Sequence, residues 1–324
     1  MKTKTRARIL ILAGMMLCLS GCQKADQQNS DSKKLYYTAM ESGDYYEDWA
    51  KRLGEKAGAY GFEFQAGYAE MSVEAQDAQV KDAYSDGYSV ILCGLVQPEI
   101  ATEIKAVSAG TPIVFINNAP PEDQLEKDRY IYVASDESMA GQYQAEYILD
   151  KLGDKDEIYI ALLKGPKQAS GTVGRTQGLK ETLKASGKNI HYVFEDYADW
   201  NETTAKEMIT MFLNTGNPVD CVVANNDDMA PGAVAAFEEA GMDTSSVLFL
   251  GVDASVKGCE AIAAKRMDFS VYQSTSEQIA AAVEAADKLA EGRSIQELEG
   301  ATEDGKYIFV PFEKVDAGNV AQYQ

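Results

Sequence analysis

Asp86-Gly87-Tyr88-Ser89-Val90-Ile91-Leu92 leads through a helical stretch into Pro112-Ile113-Val114-Phe115-Ile116-Asn117. Asn217-Pro218-Val219-Asp220-Cys221-Val222-Val223 leads in the same way into Val247-Leu248-Phe249-Leu250-Gly251-Val252-Asp253. In each copy a turn feeds a short apolar run, a helix follows, and a second apolar run stops at a polar residue. Short unbroken apolar runs mark strands buried on both faces, as parallel sheets require. Two copies of one pattern predict two similar α/β halves.

The alternation extends outward from both copies. Leu35–Ala39, Phe62–Ala66, Val90–Cys93 and Ile113–Ile116 read as strands, with helices over Tyr45–Tyr60, Val73–Ser85 and Pro98–Ser108. Ile158–Leu163, Tyr192–Glu195, Cys221–Ala224, Val247–Gly251, Phe269–Tyr272 and Tyr307–Val310 continue the strands. Thr176–Ala185, Glu202–Asn214, Met229–Ala240, Val256–Lys265 and Glu277–Glu291 read as helices. This is the βαβα order of doubly wound parallel sheets. Roughly 290 soluble residues suit two domains better than one. The expected lobes are 35–134 plus 275–304 and 135–274 plus 305–324. The chain then crosses between them three times, near Ala134–Asp136, Ser274–Ser276 and Glu303–Lys306.

The N-terminus reads differently. Lys2, Lys4, Arg6 and Arg8 precede the apolar run Ile9–Leu19, and Ser20, Gly21 and Cys22 follow. Charge, apolar stretch and small residues in that order form an export signal. The run is about half the ~20 residues that span a bilayer as a helix. Leu19-Ser20-Gly21-Cys22 resembles the lipobox of bacterial lipoproteins, which implies cleavage before Cys22 and a lipid on that cysteine. Residues 1–21 are then a signal peptide, and 22–34, polar and without large apolar residues, a flexible tether.

The whole chain carries a formal charge of −21; losing four basic residues with the signal leaves 26 − 51 = −25. Such a surface excludes nucleic acid as partner and leaves the lipid as the only membrane contact. Cys93, Cys221 and Cys259 stand far apart in apolar settings and read as buried thiols, with one disulfide left open in an oxidising compartment. His191 is the only histidine, which speaks against a zinc site or a histidine-based triad.

Doubly wound sheets bind ligands beyond the carboxyl ends of their strands. Asn117 and Asn118 stand at one such end, Asn226 at another, Asp253 at a third and Gln273 at a fourth. Arg175 lies near the start of a helix, and Asp44, Tyr45, Tyr46 and Trp200 lie in the adjoining loops or first turns. Carboxylate, amide and guanidinium groups pair with sugar hydroxyls, and flat rings cover the apolar faces of a sugar. Singly, Asn117-Asn118 fits a turn and Trp200 a helix-start staple equally well.

Ile113-Val114-Phe115-Ile116-Asn117-Asn118-Ala119-Pro120, Leu162-Leu163-Lys164-Gly165 and Ala198-Asp199-Trp200-Asn201 resemble, in this order, the periplasmic galactose/glucose-binding proteins. So do Val223-Ala224-Asn225-Asn226-Asp227-Asp228-Met229-Ala230, Phe249-Leu250-Gly251-Val252-Asp253-Ala254 and Ile308-Phe309-Val310-Pro311. The resemblance runs from Leu35 to the C-terminus. It implies the type I periplasmic-binding-protein fold, with two lobes on a three-segment hinge. It also implies hydrogen bonds to a sugar from Asn117, Arg175, Asn226 and Asp253, stacking by Trp200 and by Tyr46 or Tyr45, and a contact from Gln273. Asp44 follows only if Ser42-Gly43-Asp44 aligns. Where those proteins carry a sugar-binding histidine and aspartate, this chain has Ala169 and Gly171, so the resemblance does not fix the guest, and galactose, glucose, xylose, ribose, an inositol and a furanose signal molecule all stay open. Leu152-Gly153-Asp154-Lys155-Asp156-Glu157 is too short for that family's calcium loop, and neither calcium nor another cofactor is expected.

The expectation is a lipid-anchored extracytoplasmic receptor, monomeric and without enzymatic activity. It would capture a monosaccharide between its lobes and deliver it to the permease of an ABC importer. A sensor serving a chemoreceptor or membrane kinase is the alternative, as is a guest such as a pentose, an inositol or a furanose signal.

Overall fold

The computed structural model describes residues 33–324, and Cys22, the signal and most of the tether lie outside them. The first lobe opens with β1 (Lys34–Ala39), α1 (Asp44–Ala59), β2 (Glu63–Tyr68), α2 (Val73–Ser85), β3 (Val90–Cys93), α3 (Ala101–Val107), β4 (Ile113–Phe115) and β5 (Tyr130–Ala134). The chain then builds α4 (Glu137–Leu152), β6 (Glu157–Lys164), α5 (Ser170–Ala185), β7 (Asn189–Tyr197), α6 (Glu202–Leu213) and β8 (Cys221–Ala224). The second lobe continues with α7 (Met229–Glu239), β9 (Leu248–Leu250), α8 (Val256–Ala263) and β10 (Phe269–Gln273). It returns to the first lobe for α9 (Thr275–Ala290) and β11 (Tyr307–Phe309) and ends in the second with β12 (Phe312–Asp316).

The sheets run β11-β5-β4-β3-β1-β2 and β12-β10-β9-β8-β6-β7. Both thus have the 2-1-3-4-5 order of a doubly wound sheet, with a sixth strand at one edge. The edge strands differ: β11 runs parallel to β5, whereas β12 is antiparallel to β10. Every residue of β3 and of β8 is buried, because helices cover both faces, and this is why those strands read as unbroken apolar runs. Each lobe accordingly has two cores, one on each face of its sheet. In the second lobe α4 and α5 lie backbone to backbone. A Cβ on Gly141 would overlap the Arg175 carbonyl, so only glycine permits that approach.

The first two crossings fall at Ser135–Asp136 and Ser274. The third corrects the expectation. Residues 307–309 pair with β5 in the first lobe, so the crossing lies at Val310–Pro311 and not near Glu303–Lys306; an apolar edge position beside β5 was open and Tyr-Ile-Phe fills it. β5, α4 and β12 have no counterpart in the sequence pattern. Cys93, Cys221 and Cys259 are free, buried thiols. No helix among the described residues is long and apolar enough to cross a membrane.

Candidate functional site

The strand order reverses in the second lobe between β6 and β8, which is where such sheets hold ligands. Gly165 follows β6 there, Asn225 and Asn226 follow β8, and α5 begins just beyond. Arg175, on the second turn of α5, is the centre of the site. Its Nε donates to Glu137 Oε2 at 2.7 Å and its Nη1 to the Asn225 carbonyl at 2.7 Å. The same Nη1 lies 3.4 Å from Asp253 Oδ1. Burial works against the charge on Arg175, but Glu137 and Asp253 outweigh it and raise the guanidinium pKa. Arg175 is thus held as a fixed cation.

Asp253 answers it from the end of β9. Burial raises its carboxyl to about 6; Arg175 lowers it, while Glu137 and Asp228 push it up further. Its side chain still keeps 36% of its surface open, so it remains able to accept from a guest. The turn that carries it is strained: Asp253 has φ 106° and Ala254 φ 46°, values L-residues adopt only when the surroundings enforce them. Asp227 does the enforcing. Its carboxylate accepts from Ser270 Oγ at 2.7 Å and from the Ser255 N–H at 2.8 Å, and Ser270 Oγ in turn accepts from the Ala254 N–H at 3.0 Å. Asp227 is wholly buried and positions the turn.

Trp200 supplies the flat face. Asp199 and Trp200 both have left-handed backbone, φ 53° and 61°, and Asn201 then caps α6 by accepting from the Thr204 N–H at 2.8 Å. The indole lies with the Arg175 guanidinium carbon 5.8 Å from its ring centroid and covers Gly165, where any Cβ would overlap the ring. Gly165→Ala is therefore expected to lift the indole off its seat into water. Trp49, the other tryptophan, is buried in the first lobe and serves as internal reference. The check is a red shift of intrinsic emission with the unfolding midpoint little changed.

From the first lobe, Tyr45 reaches this cluster. Burial, then the charge of Asp253, raise its hydroxyl pKa, and Arg175 lowers it, so the hydroxyl feels the charge of both groups, while the residue remains 54% exposed. Tyr46 turns inward: its hydroxyl lies 3.2 Å from Met40 Sδ and its ring packs on the first-lobe core. Of the two tyrosines, Tyr45 is the one placed to meet a guest. Asn117, with φ 63°, has a buried Nδ2 without a partner in the protein. Thr172 Oγ1 and Asn225 Nδ2 share that condition. Leaving such an atom unpaired costs about 1–3 kcal/mol; Asn117 stands in the first lobe, and Thr172 and Asn225 in the second.

Other expected residues stand elsewhere. Asn118 is fully used within the protein, donating to the Leu95 carbonyl at 2.9 Å and accepting from the Ser170 N–H at 3.3 Å. Asn226 Oδ1 accepts from the Met229 N–H at 3.2 Å, leaving Nδ2 only a long 3.5 Å contact to Asp228. Gln273, half-buried at the end of β10, adjoins Asp253, whose carbonyl its N–H approaches at 3.5 Å. Asp44 is exposed at the start of α1, and no hydrogen bond among the described residues joins it to the cluster. Glu137, Thr172 and Ser170 were not singled out in the sequence. For Glu137 a signal existed: Asp136 stands as N-cap of α4, accepting from the Ser138 N–H, and fixes an acidic first turn.

Two α/β lobes whose cationic, anionic, amide and aromatic groups converge on one cleft define a binding protein for a small polar molecule. Comparison with known families is in accord. The family model for the periplasmic binding protein domain matches residues 36–294, and the chain belongs to that family, in its type I sugar-binding branch. A Rhizobium meliloti protein assigned as rhizopine-binding is 30% identical over 281 residues, 86% of this chain and 85% of the relative. The D-galactose/methyl-galactoside binding periplasmic protein of Haemophilus influenzae is 27% identical over 261 residues, 76% and 78% of the two chains. An ABC transporter solute binding protein from Bacillus halodurans, solved with bound myo-inositol, superposes with a TM-score of 0.79 at 27% identity, covering 91% of this chain and 98% of that one.

Proposed function

We propose that this protein captures a cyclic polyol or monosaccharide in the interlobe cleft and hands it to an ABC importer. The observation that carries the reading is the triad of Arg175, Asp253 and Trp200, a fixed cation, a partly open carboxylate and a flat ring within reach of each other. Hydroxyls on adjacent ring carbons match the acid–guanidinium pair, and the apolar ring face matches the indole.

Among possible guests an inositol comes first. The relative with bound myo-inositol is among the proteins this chain resembles over nearly its full length. Ala169 and Gly171 also remove the two polar contacts that the resemblance ties to glucose and galactose. The relatives are solute-binding proteins, and the cluster holds no acid–base pair aimed at a common point, so the reading involves no catalysis. The family's setting is extracytoplasmic. Attachment through a lipid on Cys22 belongs to this proposal and rests on Leu19-Ser20-Gly21-Cys22 alone.

The test is thermal unfolding of the chain from Ser30 onward against inositols, linear polyols and monosaccharides. A ligand at 100 times its Kd adds about 2.7 kcal/mol and lifts the midpoint by a few degrees. The shift is expected with one member of the panel, accompanied by a change in Trp200 emission that persists in Trp49→Phe. Asp253→Ala and Trp200→Ala should abolish the shift. Stabilisation by none of these compounds would sink the polyol and sugar reading.

A further inference from the structure

Ser170 is one of the places where the lobes touch, beside Gln168, whose Nε2 donates to Glu99 Oε1 at 3.4 Å. It opens α5 in the second lobe and reaches the loop after β4 in the first. Its N–H donates to Asn118 Oδ1 at 3.3 Å, its hydroxyl donates to the Asn117 carbonyl at 3.1 Å, and the Ala119 N–H donates to its Oγ at 3.2 Å. One small residue thus closes three hydrogen bonds across the cleft.

The first-lobe side of this joint is rigidly set. Asn117 holds φ 63°, and its carbonyl also accepts from the Tyr132 hydroxyl at 2.9 Å. Asn118 is pinned by its bond to the Leu95 carbonyl. Asn117 Nδ2, by contrast, is buried and unpaired within the protein. The same residue therefore offers its carbonyl to Ser170 and keeps an unused amide donor.

We propose that Ser170 is an interlobe latch, a positioning residue that holds the lobes together and couples closure to occupancy through Asn117. A guest that accepts from Asn117 Nδ2 fixes the left-handed peptide whose carbonyl Ser170 grips. Ser170, once engaged, pre-sets that amide for the guest. Coupling of this kind works equally in both directions. The coupling rests on the cleft being the ligand site; the latch itself does not.

The experiment measures distances between spin labels on Glu103→Cys of α3 and Lys184→Cys of α5, both exposed, in the chain from Ser30 onward, whose native thiols, Cys93, Cys221 and Cys259, are buried. In the ligand-free protein, Ser170→Ala is expected to cut the short-distance population about three- to tenfold, the effect of losing the two hydrogen bonds of the hydroxyl, partly replaced by water, while the backbone N–H keeps its bond to Asn118. Ser170→Thr keeps the hydroxyl and should restore it. With myo-inositol as probe, Ser170→Ala should raise Kd by a similar factor through faster dissociation. Identical ligand-free distance distributions in the parent and Ser170→Ala overturn the latch. Failure of myo-inositol to bind any form counts against the proposed ligand and leaves the ligand-free comparison decisive for the latch.

Discussion

Arg175→Met should lower the unfolding midpoint by on the order of 10 °C and abolish ligand binding. The guanidinium keeps only 7% of its side-chain surface exposed and Glu137 only 12%, so the pair lies well inside the protein. Removing one partner of a buried pair costs about 3–5 kcal/mol, because the other charge is left without compensation. The lower end applies here, since Asp253, the second carboxylate left behind, is partly open to solvent. A protein of this size moves about 2–4 °C per kcal/mol. Arg175→Lys should rescue little, because one ammonium cannot reach Glu137, the Asn225 carbonyl and Asp253 together. Glu137→Gln should recover part of the stability lost in Arg175→Met by removing an orphaned charge. Calorimetry on the three variants decides the matter: if Arg175→Met melts with the parent, the pair is not the keystone of the site.

Ligand affinity should fall about tenfold between pH 7.5 and pH 5, following the proton on Asp253. Its carboxyl, held at about 6, accepts hydroxyl bonds best when ionised, and one pH unit below the pKa leaves about a tenth of it in that form. The groups facing it are Arg175, Glu137, Asp228, Asp227 and Tyr45, and Arg175 and Tyr45 keep their protons over this range. The effect on stability has the opposite sign. The folded pKa lies above the reference value of 3.8, so the folded state binds the proton more tightly. The stability owed to this group is fully present below about 3.8 and fades as pH rises through 6. Acidification should thus weaken binding without Asp253 weakening the fold, which separates ligand release from unfolding. Titration calorimetry at both pH values is the check, with Asp253→Asn expected to bind more weakly and independently of pH.

Much of this architecture is legible in the sequence because both sheets are buried on both faces. Val90–Cys93 and Cys221–Ala224 are continuous apolar runs, and their boundaries read from sequence coincide with those in the structure. α4 escaped notice because its buried face is Ala140, Gly141, Gln144, Ala145 and Ile148, a surface chosen for close approach to α5, with one large apolar side chain in it. β12, a five-residue edge strand with exposed Glu313 and Lys314, has too few apolar positions to stand out. In the site, Asn117, Arg175, Trp200 and Asp253 were legible as polar or aromatic residues at strand ends and helix starts. Glu137 was missed with its helix, although the Asp136 N-cap marked an acidic first turn. The different fates of Asn117 and Asn118 were hidden too, because the direction of each amide is set by the left-handed turn at Asn117, and a turn's handedness at asparagine does not show in residue type.

The crossings at Ser135–Asp136, Ser274 and Val310–Pro311 have a consequence for the order in which the protein can be made. Synthesis runs from the N- to the C-terminal side, yet α9 and β11, which complete the first lobe, come after the whole run from α4 to β10. Until residues 275–309 have emerged, the sheet of β1 to β5 lacks α9, one of the helices that pack on it, and the strand that closes its edge. A nascent chain in that condition remains threadable, with its first-made half unable to lock. Interleaving the lobes thus postpones the final fold until nearly all of the described chain is available.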